Sequence, residues 1–226
     1  MAYVVGLMAT DGCLYSNGRH LSFDSSDEEL VITLLECLGR PIRYTRIAAQ
    51  TGNLYYRAQF GDVAFHKWLG SKGLMPRKSL VLGAIEVPDD LIFPLARGLL
   101  DGDGSVLDYW YDGSGKAKGK RYEGFATVFL SASGPHLEWL RTQLARSLSI
   151  RGALCPQTPT ERGTVMWRLA YAIRESAILL PQLYPSRDVP CLRRKWRIWE
   201  GYAARRGLRA TLDQMREASA MYRMSA

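Results

Sequence analysis

The sequence predicts an α+β fold made of two pseudo-symmetric αββαββα units, and three observations lead to it. A short segment recurs: "VVGLMATDG" at 4–12 aligns with "ARGLLDGDG" at 96–104, so that Gly6 matches Gly98, Gly12 matches Gly104, and Asp11 matches Asp103 ninety-two positions later. The same order of strand-like and helix-like periodicity follows each copy. The composition is that of a packed chain, with 226 residues of which 47% are hydrophobic and 23% charged, long enough to bury a core. The units are expected at 1–88 and 89–208, followed by a polar tail at 209–226 for which a helix is one reading.

Each unit opens on its repeated segment. On a helix, Gly6 and Thr10 fall at i and i+4, as do Gly98 and Gly102, which gives each segment a small-residue stripe along which two backbones can approach. Val4, Val5, Leu7 and Met8 in one copy, and Leu99 and Leu100 in the other, are left to bury. Gly12 and Gly104 are expected just past the helix ends, turning each chain sharply into a strand. In the first unit come strands at 13–15 and 20–23 around the turn "SNG", then "SDEELVITLLECLG", an N-capped amphipathic helix ending at Gly39. A strand around "PIRYTRI" puts Arg43 and Thr45 on one face. "LYYRAQF" alternates Leu54, Tyr56, Ala58 and Phe60 against Tyr55, Arg57 and Gln59, so one face meets a core and the other water or a ligand. "DVAFHKWLGSKG" closes the unit as a helix.

The second unit repeats the order with "SVLDYWY", the loop "DGSGKAKGK", the strand "YEGFATVFLS" and the helix "GPHLEWLRTQLARSLSI". "TVMWRLAY" sets Val165, Trp167, Leu169 and Tyr171 on one face, with Met166 and Arg168 opposite. The helix "RESAILLPQLY" and a basic helix "CLRRKWRIWEGYAARRG" complete it.

Composition narrows the function. Thirty Lys and Arg against 22 Asp and Glu leave a formal charge of +8, which suits a polyanionic partner, although solubility alone also accounts for such an excess. Cys13, Cys37, Cys155 and Cys191 form no CxxC pair and sit in or beside apolar segments, so they read as buried free thiols rather than a zinc site or disulfide framework. His20, His66 and His136 lack metal-like spacing and read as surface or strand-end residues. "DGDGSVLDYWYDG" fails as a calcium loop, because counting from Asp101 gives Val106 and Asp112 where glycine and glutamate are required. No serine or cysteine nucleophile motif is evident. The N-terminus lacks a basic signal-type region, and no apolar run approaches the roughly 20 residues that span a bilayer. An intracellular, soluble protein without a membrane partner is expected.

If the two repeated helices pair side by side in one direction, Asp11 and Asp103 meet at one end, beside two helix C-termini whose dipoles are also negative. That arrangement is repulsive unless cations fill it. Oxygen-only ligands without His or Cys suit a hard divalent ion such as Mg²⁺, with waters and a substrate phosphate completing its shell.

On these residues the chain resembles the LAGLIDADG homing endonucleases, in the single-chain form that carries two motifs. The resemblance runs from about Tyr3 to about Gly207. It implies that the motif helices form the interface between two subdomains, each with a four-stranded antiparallel saddle sheet over the major groove of DNA. It implies metal-dependent hydrolysis of both strands of a pseudo-palindromic or asymmetric duplex by a monomer, leaving short 3′ overhangs. By the same resemblance Asp11 and Asp103 bind Mg²⁺ with help from the backbone carbonyls of Thr10 and Gly102. The motif's usual acid two positions before the catalytic aspartate is kept at Asp101 and absent at Ala9, which bears on interface symmetry more than on catalysis.

Basic residues near such sites stabilise the transition state, and "MPRKSL" and "LRRKWR" nominate Lys78 and Lys195, with phosphate positioning or simple solvation as their other readings. Arg43, Tyr55, Arg57, Gln59 and Arg168 lie on polar strand faces, where Arg can read guanine and Gln adenine. Lys116, Lys118, Lys120 and Arg121 in the glycine-rich loop look like phosphate contacts. An RNA maturase that binds its host intron RNA, or a DNA regulator that does not cut, could keep the same scaffold.

Overall fold

A computed structural model describes residues 1–48, 52–161 and 163–208. The first half runs α1 (Ala2–Thr10), β1 (Gly12–Leu14), β2 (His20–Ser25), α2 (Glu28–Cys37), β3 (Thr45–Ala48), β4 (Leu54–Gly61) and α3 (Val63–Ser71). The second runs α4 (Ile92–Gly102), β5 (Ser105–Asp112), β6 (Arg121–Ser131), α5 (Gly134–Leu148), β7 (Ala153–Pro156), β8 (Trp167–Tyr171), α6 (Ile173–Leu183) and α7 (Arg193–Arg205). Short 3₁₀ turns at Lys78–Leu80, Asp89–Leu91 and Gly115–Ala117 lie between them. The repeat predicted from the two motifs is present: two four-stranded antiparallel sheets with the same strand order, β1-β2-β4-β3 and β5-β6-β8-β7. The tail from residue 209 lies outside the described residues.

Registers show which face of each sheet is covered. In the first, Leu21 pairs with Phe60 and Phe23 with Ala58, and these face the helices; Ser22 with Gln59 and Asp24 with Arg57 face away. In the second, Phe125, Thr127 and Phe129 face the helices, with Phe125 stacked on Tyr202 of α7 at 3.7 Å between ring centres. The alternation anticipated in β4 and β8 follows: Ala58, Leu169 and Tyr171 are buried, whereas Gln59 is exposed. The core is continuous through α1 and α4 into both halves.

Several local expectations need correction. Gly12 and Gly104 do not take a left-handed turn. They are needed because a Cβ at Gly12 would stand 2.6 Å from the Cα of Met8, and one at Gly104 2.8 Å from the Cα of Leu100, as each chain doubles back over its own helix. The helix α2 does end at Gly39, in a Schellman arrangement where Arg40 N–H donates to Leu35 O and Gly39 N–H to Glu36 O, both at 2.9 Å. Its N-terminus is not capped as expected: the Asp27 side chain makes no cap bond and pairs with Arg194 of α7. The strand around "PIRYTRI" begins only at Thr45, so Arg43 sits in the exposed approach to it. Of the four cysteines only Cys191 is buried; Cys13 is exposed, and Cys37 and Cys155 are half-buried. His136 is buried, not at the surface. Among the described residues no helix is long and apolar enough to cross a membrane.

Candidate functional site

The site is built where α1 and α4 touch. The helices run side by side in the same direction, Gly6 against Gly98 and Thr10 against Gly102. A Cβ on Gly98 would meet the carbonyl of Tyr3 and lie 2.9 Å from the Cα of Gly6; one on Gly6 would lie 2.8 Å from the Cα of Gly98. Carbon atoms at rest stand about 3.5–4.0 Å apart, so glycine at both positions permits this approach. One turn further on, a Cβ on Gly102 would stand 2.7 Å from the Cβ of Thr10 and 3.1 Å from Oδ2 of Asp11. Asp11 therefore reaches across the seam to the end of the neighbouring helix, where Asp103 follows Gly102 as the C-cap residue. The hydroxyl of Thr10 donates back to the carbonyl of Leu7 at 2.9 Å.

Asp11 is half-buried and Asp103 opens toward solvent. Loss of water, and then the charge of Asp103, push the Asp11 carboxyl up to about 7. The Asp103 carboxyl is also raised, by desolvation, while Lys195 and Lys78 oppose the shift.

Those two lysines close the helix ends. Lys195, fully buried, donates from Nζ to the carbonyls of Leu100 (2.7 Å), Asp101 (2.8 Å) and Gly102 (3.2 Å), so its three ammonium donors meet three carbonyls left free at the end of α4. Burial lowers its pKa to about 8. Lys78, also buried, donates from Nζ to the carbonyl of Gly12 and, at 3.5 Å, to that of Thr10. Burial lowers its pKa as well. Both lysines nominated from sequence thus lie beside the two aspartates.

The supports of the two lysines differ, which the sequence did not reveal. Asp101 is fully buried and accepts from the hydroxyls of Tyr3 (2.9 Å) and Tyr184 (2.6 Å) and from the N–H of Leu192 (2.8 Å), which precedes α7. It thereby fixes α1, the end of α6 and the start of α7, and with α7 the position of Lys195. Ala9, its counterpart, has no polar side chain, and Lys78 is held otherwise. Its 3₁₀ turn belongs to the segment joining the halves, and that segment is pinned to α5: Ser133 Oγ donates to Leu82 O at 2.6 Å, and His136 Nδ1 to Gly83 O at 2.8 Å. The only sequence signal for these supports was an aspartate inside an apolar helix.

The predicted recognition residues scatter more widely. Tyr55, Arg57 and Gln59 share the open face of the first sheet, and the Arg57 fork is already held by Asp24 through two bonds of 2.6 and 2.8 Å. Arg168 lies on the open face of the second, opposite Leu130. Lys116, Lys118 and Lys120 belong to the β5–β6 connection. Arg121, the first residue of β6, pairs across from Asp112, lies against Trp110 at 5.5 Å and is exposed.

Among the described residues no cluster of three or more His, Cys, Asp or Glu side chains is placed to hold a metal. The local donors are two carboxylates with main-chain carbonyls, an all-oxygen set that fits a hard divalent ion whose shell water and phosphate would complete.

Paired motif helices joined at glycines, each leading into a β-β-α-β-β unit, define the two-copy LAGLIDADG fold, and this chain has it. Its similarity to particular proteins lies in structure alone. It is similar to full-length DUF199/WhiA from Thermatoga maritima (TM-score 0.54, 15% identity, covering 98% of this chain and 68% of that one). It is also similar to variants of the homing endonuclease I-DmoI (0.52, 13%, 84% and 93%) and to the meganuclease I-SmaMI bound to uncleaveable DNA (0.54, 12%, 83% and 84%). No family model and no curated protein matches the sequence. At these identities the likeness establishes the fold.

Proposed function

We propose that the chain is a site-specific endonuclease acting on double-stranded DNA, hydrolysing one phosphodiester in each strand, with short 3′ overhangs as the product ends. One observation carries this reading: the glycine seam brings Asp11 and Asp103 to adjacent ends of parallel helices. The solved structures with this fold include a homing endonuclease in complex with DNA and Ca, which supports a duplex partner and a divalent ion.

In the proposed reaction Asp11 and Asp103 each serve one strand and hold the ion, Mg²⁺ by preference, with the carbonyls of Thr10 and Gly102 nearby. When bound, such an ion supplies Lewis-acid polarisation of the phosphate and acidifies a water. Lys195 stays anchored to the carbonyls at the end of α4 and Lys78 to those of Thr10 and Gly12, and both place positive charge where negative charge grows on the phosphate. The open sheet faces carry the groove contacts, and the β5–β6 connection offers lysines to the backbone. A monomer suffices, since both motifs lie in one chain.

A second reading, binding of DNA or of a host intron RNA without cutting, has one observation in its favour. The Gly102 carbonyl, a predicted metal ligand, already accepts from Lys195. The test is selection of bound duplexes from a randomised library, followed by incubation with Mg²⁺. Cleavage at one position that vanishes in Asp103→Asn and in Asp11→Asn supports the endonuclease. Tight, specific binding with no cleavage across divalent ions assigns the chain to the second reading.

A further inference from the structure

The two open sheet faces, related by the repeat, differ in chemistry. The first presents hydrogen-bonding groups: Gln59, and Arg57 between Asp24 and Thr45, while Ser22 beside Gln59 is itself buried. The second, apart from Arg168, presents mainly aromatic rings and aliphatic carbon. Along β5 and β6 the outward pairs are Leu107 with Ala126, Tyr109 with Gly124, and Tyr111 with Tyr122. Leu107, Tyr109, Tyr111 and Tyr122 remain 40%, 47%, 50% and 38% exposed.

These side chains form a fixed surface. The ring of Tyr109 lies over Gly124, where an added Cβ would stand 2.9 Å from its Cε1, so the glycine makes room for the ring. Tyr111 sits 6.0 Å from Tyr109 and 5.7 Å from Tyr122 between ring centres. On the reverse face Arg205 of α7 holds Asp108 at 2.8 Å and Glu123 at 3.1 Å. The hairpin is thus clamped from behind and bare in front, and its connection carries Lys116, Lys118 and Lys120. Hydrocarbon in the middle with cations at the tip matches a groove floor flanked by phosphates.

In the major groove every base-pair edge offers donors and acceptors, and its one apolar group is the C5-methyl of thymine. Set against G·C edges, the ring faces and Leu107 would cover donors and acceptors without pairing them, leaving only the phenol hydroxyls at the ring tips to do so. We infer that the second sheet reads a thymine-rich half-site through thymine methyl groups, whereas the first reads its half by hydrogen bonds. This rests on the duplex-binding reading above.

The test uses the full chain in chelator, so that no cleavage intervenes, and a duplex selected from a randomised library. The halves are assigned with Gln59→Ala, which relaxes base preference only under the first sheet. Deoxyuridine is then substituted for thymine in one half at a time. Under the second sheet each methyl removed weakens binding about fourfold, 5-methylcytosine in place of uracil-bearing pairs recovers part of the loss, and the Tyr109→Ser, Tyr111→Ser protein no longer distinguishes thymine from uracil. Equal, negligible uracil effects in both halves overturn the inference and leave duplex binding standing. Single strands bound as tightly as the duplex overturn it in favour of base stacking on the tyrosines. Failure to select any duplex removes both readings.

Discussion

Replacing Gly98 with alanine tests the seam on which the site depends. The added Cβ would lie 2.9 Å from the Cα of Gly6 and 2.9 Å from the N of Leu7, with the Tyr3 carbonyl closer still. Since contacts relax only at about 3.5 Å or more, α1 and α4 must part by roughly 0.5–1 Å, and the obstructing atoms are backbone that cannot rotate away. Overpacking of this kind costs about 1–3 kcal/mol, and backbone on both sides places it near the top of that range. Alanine in a helix returns about 1 kcal/mol of propensity, leaving a net loss of about 2 kcal/mol, or about 4–8 °C in Tm at this chain length. The control is Gly201→Ala in the exposed middle of α7, where nothing lies within 4 Å; it should gain about 0.5–1 kcal/mol. Urea denaturation of the three proteins decides the matter. If Gly98→Ala is as stable as the parent, the helices do not meet at this glycine, and the pairing of Asp11 with Asp103 loses its basis.

Asp11→Asn should stabilise the protein at alkaline pH in chelator. The folded carboxyl titrates at about 7 against 3.8 ordinarily, so the folded state holds the extra proton between these values and stability falls as pH rises through that window. The cost is absent below about pH 4 and complete above about pH 7, on the order of 2–4 kcal/mol at about 1.4 kcal/mol per pH unit with allowance for partial exposure. Equal urea midpoints for parent and variant at pH 8, relative to pH 4, would count against it. Under the proposed function, Mg²⁺ at a hundred times its dissociation constant raises stability by about 2.7 kcal/mol, read as a rise in Tm that is lost in Asp103→Asn and reversed by chelator. Asp101→Ala strands the hydroxyls of Tyr3 and Tyr184 and the N–H of Leu192, so it should cost about 3–5 kcal/mol and also lower activity by freeing Lys195. Full stability in that variant would show that the cluster does not hold α7.

Much of this was legible because it depends on spacing. The small-residue stripe at Gly6, Thr10, Gly98 and Gly102 told of close helix pairing, and strand alternation told which side of β4 and β8 the core lies on. What could not be read depended on contacts distant in sequence. The role of Gly12 lies in the path of the chain over Met8, which looks identical in sequence to a left-handed turn. Asp27 precedes a helix in a capping pattern, yet an arginine 167 positions away takes its carboxylate. His136 shows no pattern of burial, because the carbonyl it meets belongs to the segment joining the halves. Arg57 looked free to read a base, and only the register of β2 against β4 sets Asp24 beside it.

The electrostatics of the seam bear on how the proposed reaction is set up. Two helix C-termini carry about half a negative charge each, and ionised Asp11 and Asp103 add one apiece, so the site holds roughly three negative charges before any compensation. The sequence alone suggested that external cations must relieve this. Instead the chain supplies two of its own: Lys195 on the end of α4, and Lys78 on the carbonyls of Thr10, which ends α1, and of Gly12 just past it. About one negative charge is left, small enough for the helices to pair without an ion and large enough to attract one. Asp11 is raised to about 7 by loss of water first and by the charge of Asp103 second, with both lysines opposing the shift. Lys195 reaches the end of α4 from α7 of the same half, whereas the segment that carries Lys78 to the end of α1 is pinned to α5 of the other half. Neutralisation at α1 therefore requires both halves to be docked first, and in the proposed reaction the ion and the phosphate meet a frame already assembled.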